Sequence, residues 1–390
     1  MKENDVEVKP KKKNKKKRKQ IGKIFLFVVE IALLVVLAVG TSYVIKFKNA
    51  FDKIEIGSQF EDKTEAGINV GETGMDSSYI EEVLEGYTNI AIFGLDNRTA
   101  GKYNKGLSDV MMIASINNKT KEVKLVSVYR DTYLSIGDGK YKKANTAYSS
   151  GGVKKAVQML NTNLDLDITK YVCVDWNAVV EAIDALGGVE VEVTKKEKEL
   201  LNSYLWEIDK ATGLKSPELK KHGKVTLNGT QATAYARIRY TSGGDFKRAS
   251  RQRIVIEAML NKAKQSDLNT LMSICENVFD DIATNITFDE IVDLVMDVTK
   301  YKIGISAGFP YELVTRDLSG SGDTVVAVDL EANVSKLHKT LFGTENYKPS
   351  FVVHTISQTI MDKTGVDENT KPYNTNEYDN ISGADGTNWD

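Results

Sequence analysis

Acidic and basic residues collect at the ends of three short hydrophobic runs between residues 89 and 132. They are Asp96, Arg98, Asp109, Arg130 and Asp131. Asp96 and Asp109 could present two carboxylates to a divalent cation, which prefers oxygen ligands. Each arginine supplies a planar guanidinium group that binds two phosphate oxygens at once. These residue types indicate a site for a phosphate and a metal ion, although surface ion pairs at turns would leave the same pattern.

The three runs that must position these side chains are rich in Ile and Val and are bounded by Gly, Asn and Lys. They are Ile90–Phe93, Val110–Ile116 and Val123–Val128. Such composition predicts β-strands. In an open α/β sheet, ligands bind at strand ends and in the loops that join them, so we expect the site at that edge of the sheet.

A second basic segment, residues 235–253, contains a single acid, Asp245. Its basic residues are Arg237, Arg239, Lys247, Arg248, Arg251 and Arg253. The apolar residues that follow recur at helical spacing, which predicts a helix from about Phe246 to Lys264. Arg248 and Arg251 would then lie near the first turn of that helix.

Cations near the start of a helix oppose its macrodipole, which favours anions there by about 0.3 to 1 kcal/mol. The free backbone N–H groups at this end also attract an anion. A bound anion therefore explains why Arg248 and Arg251 stand there. Arg248 and Gln252, four residues apart, would share one face of the helix.

Successive segments of the chain resemble the motifs of the LytR-CpsA-Psr family, in the order of that family. They read FGLDNR, LSDVMMIASIN, VSVYRDTYL, KKANTAYSSGGVKKAVQMLN, WNAVVEAIDALGGVEVEV, LNGTQATAYARIRY and DFKRASRQRIVIEAML. The resemblance covers roughly Asn89 to Lys264. The third segment has Tyr129 where the family usually has proline, but it keeps Arg130.

The resemblance implies a Mg2+-dependent phosphotransferase of the cell envelope. Such an enzyme moves a phosphoglycan, of teichoic acid or capsular polysaccharide type, from undecaprenyl pyrophosphate to a sugar hydroxyl of peptidoglycan. The family also has a long apolar groove for the polyprenyl chain, partly walled by the region that corresponds to Lys195–Gly223. A non-catalytic regulator of cell-wall assembly that binds a polyprenyl phosphate or a glycan is the alternative.

Roles carry over from the family only at matching positions. The implied Mg2+ ligands are Asp96 and Asp109. The implied pyrophosphate contacts are Arg98, Arg130, Arg237, Arg239, Arg248 and Gln252. The implied catalytic residues are Arg130, Asp131 and Arg239, and either Asp131 or Asp109 is the candidate to deprotonate the acceptor hydroxyl.

The N-terminal region predicts a membrane anchor. Lys9–Lys23 is almost continuously basic, and Ile24–Ile45 is an apolar run long enough to span a bilayer. A cleaved signal peptide is the competing interpretation. Positive residues stay on the cytoplasmic side, which predicts a single-pass protein of the cell membrane with an extracytoplasmic catalytic domain. The lysine tail then faces anionic lipids of the bilayer, and no nucleic acid partner is expected.

Alternating strands and helices predict an α/β fold with a central mixed β-sheet covered by helices on both faces (α-β-α). The predicted domains are a basic cytoplasmic tail (1–23), a transmembrane helix (24–45), an extracytoplasmic stalk (46–86), a catalytic domain (87–345) and a disordered polar tail (366–390). The two cysteines, Cys173 and Cys275, favour separate core thiols over a disulfide. With only three histidines among 390 residues, zinc chemistry and a His-based triad have little support.

Overall fold

The computed structural model describes residues 41–95, 103 and 106–373. The predicted basic tail, most of the predicted membrane span, Asp96, Arg98 and residues 374–390 lie outside these ranges. The chain divides into two units, residues 1–52 and 53–390. In the first unit, residues 41–51 are helical (α1). No helix within the described part of the chain is both long enough and apolar enough to cross a bilayer.

A seven-stranded mixed sheet forms the centre of the second unit, with the strand order β1-β10-β7-β2-β3-β4-β11. Its strands are β1 (Glu55–Ile56), β2 (Tyr87–Leu95), β3 (Ser108–Asn117), β4 (Glu122–Val128), β7 (Lys170–Val174), β10 (Ile282–Thr284) and β11 (Lys302–Phe309). Three separate two-stranded antiparallel sheets are described: β5 (Tyr133–Ser135) with β6 (Tyr141–Lys143), β8 (Val189–Val193) with β9 (Gly223–Leu227), and β12 (Leu313–Leu318) with β13 (Gly322–Ala327).

Helices cover both faces of the sheet, which confirms the predicted mixed α/β arrangement. They are α2 (Ser77–Glu82), α3 (Asn145–Leu164), α4 (Trp176–Ala185), α5 (Lys195–Thr212), α6 (Gly229–Arg237), α7 (Gly244–Ala263), α8 (Leu268–Val278), α9 (Phe288–Met296), α10 (Leu330–Phe342) and α11 (Phe351–Thr364). The period-two alternation of strand side chains explains the two layers. In β3, Met111 packs in the core under α3, α10 and α11, whereas Met112 packs in the core under α7 and α9.

The register of β2, β3 and β4 decides which strand ends meet at one edge of the sheet. Leu95 pairs with Ser108 across the β2–β3 ladder, and Met112 pairs with Ser127 across the β3–β4 ladder. Since both ladders are antiparallel, the end of β2, the start of β3 and the end of β4 lie at the same edge. Asp109 and Arg130, two of the residues that the sequence singles out, therefore lie at this edge.

The folded unit extends beyond the predicted domain at both ends. Ile68, Ile80 and Leu84, from the segment predicted as a stalk, are buried in the main core, and β1 pairs in parallel with β10. The few apolar residues of this polar segment are therefore enough to fix it on the domain. At the other end, α11 packs into the same core through Val353 and Ile360.

A buried carboxylate joins these two end segments. Asp165, which is fully buried, accepts hydrogen bonds from Nδ2 of Asn69 at 2.6 Å and from the backbone N–H of Ser350 at 2.7 Å. The hydroxyls of Ser350 and Tyr347 also donate to it, at 2.7 and 3.1 Å. The start of the predicted polar tail is ordered against the domain too, since Tyr373 donates its backbone N–H to the Leu313 carbonyl.

Two other expectations can be compared with the fold. Cys173 and Cys275 are both buried free thiols, as expected for separate core residues. The predicted strand Val189–Val193 forms, but it pairs with β9 in a two-stranded sheet that is separate from the central sheet. Its side chains instead contribute to a second core beneath α4, α5 and α6.

Candidate functional site

Three arginines from distant parts of the chain converge on the carboxylate of Asp109, at the start of β3. Nη1 of Arg130 lies 2.7 Å from Oδ1 of Asp109. Nη2 of Arg239 lies 3.4 Å from Oδ2, and Nη1 of Arg248 lies 4.0 Å from the same oxygen. The structure thus brings four of the residues predicted for the site together, although they are up to 139 positions apart in the sequence, from 109 to 248.

A second acid, Asp245, completes this cluster and is absent from the sequence-based prediction. Its carboxylate lies 2.9 Å from Nη2 of Arg248, one helical turn away, and 3.6 Å from Nε of Arg130. As the only acid in a basic segment, Asp245 looks like a helix-start residue, and nothing in its spacing indicates that it touches Arg130. Its contact with Arg130 depends on how α7 docks beside the end of β4.

Burial and mutual proximity tune the charges of the cluster. Burial by itself would raise the pKa of Asp109, but Arg130 and Arg248 hold that pKa below its usual value. Burial lowers the pKa of Arg248 to about 10, so its side chain is still protonated at neutral pH. The neighbouring cations Arg130 and Arg239 act on Arg248 in the same direction, and Asp245 and Asp109 oppose them.

Two nitrogens of this cluster, Nε of Arg130 and Nε of Arg248, have no hydrogen-bond partner among the described residues. Arg248 is only 3% exposed, and its Nε makes no hydrogen bond within the described residues. A buried N–H group of a cation that has no acceptor lowers the stability of the folded protein. An anion with several oxygens could supply the missing acceptor and replace the long 4.0 Å contact with Asp109.

Asp131 extends the cluster toward the β5–β6 hairpin. Its Oδ1 lies 3.1 Å from Nζ of Lys143, and its Oδ2 lies 3.5 Å from Nε of Arg130. Lys143, at the end of β6, is a further charged residue that the prediction omits. Its position in a short three-residue strand gives no signal that it faces Asp131.

Aromatic packing fixes the end of β4 against the start of α7. Tyr129, which is 2% exposed, meets Phe246 edge-on with ring centroids 4.7 Å apart. Its backbone N–H donates to the Phe309 carbonyl at 3.0 Å. Tyr129 therefore has a structural purpose at the position where the family usually has proline: it joins the backbone that carries Arg130 to the helix that carries Arg248.

The other arginines of the basic segment have different surroundings. Arg237 lies 3.2 Å from Glu207 of α5, and its guanidinium stacks 3.4 Å from the ring centroid of Trp176. Arg251 and Arg253 are each only 1% exposed and turn into the protein. Gln252 is partly buried, one helical turn after Arg248.

The predicted metal ligands are only partly described. Asp96 and Arg98 lie outside the described residues, and among the described ones no group of three or more His, Cys, Asp or Glu side chains is arranged to hold a metal. Asp109 still suits a hard cation, because Oδ1 is occupied by Arg130 whereas Oδ2 has only the longer contacts with Arg239 and Arg248. Magnesium in phosphate sites typically takes one or two protein carboxylates together with substrate oxygens.

An apolar surface begins beside this cluster. Val110 directly follows Asp109 and is only partly buried, as is Ile92 on the neighbouring strand. Both side chains face α7, where Ile256 and Leu260 are also partly buried. The charged edge of the sheet is thus continuous with apolar side chains between the sheet and α7.

The LytR_cpsA_psr family model matches residues 42–330 of the chain. Among curated proteins, the polyisoprenyl-teichoic acid--peptidoglycan teichoic acid transferase TagU of Enterococcus faecalis is 28% identical over 284 residues, which are 72% of this chain and 84% of TagU. TagV of Bacillus subtilis, a transferase named for the same reaction, is 28% identical over 343 residues, 85% of this chain and 81% of TagV.

Several solved structures have a fold similar to that of this chain. The crystal structure of B. subtilis TagV superposes with a TM-score of 0.51 at 26% identity and covers 67% of this chain and 98% of TagV. The structure described as TagT bound to LI-WTA superposes with a TM-score of 0.53 at 22% identity, covering 67% of this chain and 92% of TagT. At that identity, the TagT likeness supports the fold alone.

Proposed function

Because the chain belongs to the LytR-CpsA-Psr family, we propose that it is a transferase that moves a phosphoglycan from undecaprenyl pyrophosphate to a sugar hydroxyl of peptidoglycan. The names of TagU and TagV favour a teichoic acid as the glycan. The observation that carries the proposal is the convergence of Arg130, Arg239 and Arg248 on Asp109.

The charge of this cluster suits a pyrophosphate. Breaking the bond between the two phosphoryl groups places negative charge on the departing lipid phosphate, and fixed cations stabilise that charge. Arg130 and Arg248 are held in place by Asp109 and Asp245 before any substrate binds. Little reorganisation is then required at the moment of reaction, because positioning and electrostatics account for most of the catalysis of phosphoryl transfer.

Asp109 and Asp96 would hold a Mg2+ ion in this proposal. When bound, the ion would neutralise charge on the phosphoryl oxygens. Asp109 has a suitable oxygen, Oδ2, and it would remain ionised because the pKa of its carboxyl lies below the usual value. Asp109 is then a weak base, which favours a metal-binding role over proton transfer.

Asp131 is the remaining candidate to accept the proton of the acceptor hydroxyl. It lies beside Arg130, within 3.5 Å of Nε, so a hydroxyl that attacks a phosphoryl group held by Arg130 would approach it. Lys143, at 3.1 Å, fixes the orientation of the carboxylate. The proton would pass from the sugar hydroxyl to Asp131 as the new phosphorus–oxygen bond forms.

The polyprenyl chain of the donor would follow the partly buried apolar side chains between the sheet and α7. Val110 and Ile256 would start this path next to the pyrophosphate site. A membrane anchor at residues 24–45 would place the unit outside the cell, where both the lipid carrier and peptidoglycan are found. Magnesium, the bilayer and the glycan-lipid are therefore the expected cofactor and partners.

The experiment that tests the proposal incubates the full-length protein with Mg2+, a polyprenyl-pyrophosphate-linked glycan and peptidoglycan oligomers. Mass spectrometry of the oligomers should find a glycan-phosphate adduct that is absent with Arg130→Ala and unchanged with Arg316→Ala, which alters a partly buried side chain that donates to the Thr315 carbonyl on β12. Tight lipid binding without any adduct, in the presence of a competent acceptor, would instead support the regulator.

A further inference from the structure

Arg251 lies on the same helix as Arg248 but faces away from Asp109. Its guanidinium makes three hydrogen bonds: Nε to Oε1 of Glu197 at 2.9 Å, Nη1 to the Ile238 carbonyl at 3.0 Å, and Nη2 to Oγ1 of Thr241 at 2.9 Å. Arg251 is 1% exposed and Glu197 is 6% exposed. The nitrogens of this buried cation are therefore satisfied within the protein, and a pyrophosphate has no access to them.

The two loop acceptors of Arg251 flank Arg239 in the sequence. Ile238 is fully buried in the core beneath α5 and α6, and the Thr241 backbone N–H donates to the Arg239 carbonyl at 2.8 Å. Between these fixed points, the Arg239 side chain is 43% exposed and Tyr240 is 78% exposed. One guanidinium thus holds both ends of a short exposed loop, residues 238–241, that presents Arg239.

Glu197 connects this loop to the start of α5. Its Oε2 accepts hydrogen bonds from the backbone N–H and the hydroxyl of Thr194, at 3.0 and 2.9 Å, and so caps the helix. Its Oε1 binds Arg251. A carboxylate with one oxygen on a helix start and the other on an arginine has little freedom to move, which makes the pair a rigid support.

We propose that the Glu197–Arg251 pair positions Arg239 by fixing loop 238–241, and that Arg251 is a positioning residue that does not contact substrate. The proposal rests on the proposed function, because it assigns Arg239 to the bound pyrophosphate. Arg239 needs such support: its contact with Asp109, at 3.4 Å, is longer than the 2.7 Å contact of Arg130. The direction of the Arg239 side chain therefore depends on the backbone of loop 238–241.

The chain offers a matched pair of variants for a test. Thr241→Val removes the hydroxyl that accepts from Arg251, and Ser306→Ala removes the hydroxyl that accepts from Nε of Arg253 at 2.9 Å. Both arginines belong to α7 and are 1% exposed. Each variant deletes one hydroxyl acceptor of a buried arginine, but only Thr241 belongs to the loop that carries Arg239.

The first readout is the affinity of the full-length protein for farnesyl pyrophosphate, measured by calorimetry. We expect Thr241→Val to weaken it about tenfold, the scale of one hydrogen bond to a charged group, and Ser306→Ala to change it less than about twofold. In an Arg239→Ala background, Thr241→Val should cause no further loss, because a positioning group cannot act through an absent side chain. Equal losses in both backgrounds, or in both hydroxyl variants, would overturn the proposal.

The second readout needs no ligand. Trypsin cleaves after arginine, so the rate of cleavage between Arg239 and Tyr240 reports how firmly the loop is held. We expect Thr241→Val to raise this rate about fivefold or more relative to Ser306→Ala. Equal rates would contradict the proposal that Arg251 fixes loop 238–241. If the unaltered protein bound no farnesyl pyrophosphate, the proposed function would fail, whereas the cleavage rates would still decide whether the Glu197–Arg251 pair fixes the loop.

Discussion

The carboxylate of Asp109 accepts a 2.7 Å hydrogen bond from Arg130, which joins the start of β3 to the end of β4 by a charged contact at one edge of the sheet. The contact leaves Oδ2 of Asp109 facing Arg239 and Arg248. One carboxylate therefore orients three cations. The loss of its charge should lower both the stability of the protein and its affinity for the ligand.

Asp109→Asn should destabilise the protein at neutral pH by about 1 to 3 kcal/mol, because it removes the counter-charge that Arg130, Arg239 and Arg248 share. The pKa of Asp109 lies below its usual 3.8 in the folded state, so this stabilisation is present above 3.8 and is lost as the pH falls through the lower folded value. Urea unfolding should show a constant difference from the wild type between about pH 8 and about pH 5 that shrinks only below about pH 4. Asp323→Asn, on the exposed end of β13, should show no difference at any pH. A gap that closed between neutral pH and pH 5 would mean that the arginines do not lower this pKa.

Asp245→Asn should weaken the binding of farnesyl pyrophosphate about tenfold, since the ion pair that orients Arg248 is replaced by a weaker contact with a neutral amide. Stability should also fall, by about 1 to 3 kcal/mol, because the buried Arg248 loses its nearest counter-charge. Asp267→Asn alters another acid at a helix start, on α8, and should leave the affinity unchanged. Calorimetry and thermal unfolding separate the two effects, and an unchanged affinity for Asp245→Asn would remove Asp245 from the site.

Tyr129→Ala should destabilise the protein by about 3 to 5 kcal/mol, as expected for the removal of a large buried aromatic side chain. Its ring packs edge-on against Phe246 and has only 2% of its surface exposed. Tyr240→Ala, at a position that is 78% exposed, should cost less than about 0.5 kcal/mol. Denaturant unfolding of the two variants makes the comparison, and similar small losses would mean that Tyr129 does not join β4 to α7.

Asp165→Ala should lower the free energy of unfolding by at least about 2 kcal/mol more than Asp138→Ala. Both aspartates have a left-handed backbone, with φ of 51° and 54°, so an alanine meets the same backbone strain at either position. They differ in their contacts, because Asp165 is fully buried while the side chain of Asp138 is 70% exposed. Equal losses, measured in urea, would show that the hydrogen bonds to Asn69 and Ser350 add little.

Much of the fold around the site could be predicted from local pattern. The three hydrophobic runs became β2, β3 and β4, and the predicted helix at Phe246–Lys264 became α7 at Gly244–Ala263. Strand ends and a helix start are local properties, so Asp109, Arg130 and Arg248 could be assigned to one region. The central mixed sheet with helices on both faces followed from the alternation of elements.

The rest depended on packing that no local pattern records. Arg251 and Arg248 are three residues apart on one helix, yet only Arg248 turns toward Asp109. The reason is that Arg251 donates a hydrogen bond to Glu197 of α5, which lies 54 positions earlier in the sequence. Likewise, the segment before residue 87 has too few apolar residues to show a periodicity, although Leu84 and Ile80 are buried. In both cases, residues distant in the sequence determine the orientation or the burial of the side chain.

The two-residue strand β1 has a mechanical consequence. It is the first element of the folded unit, and it is held by its pairing with β10 and by the backbone bond from Gly57 to the Thr284 carbonyl. A pulling force on the preceding chain therefore loads this short edge strand together with the contacts of Lys53 to Glu276 and Asp280. The next contacts along the chain are those of Gln59 with Asn285 and of Phe60 with the main core. β1 can therefore detach and lengthen the preceding chain by a few residues before the main core is loaded.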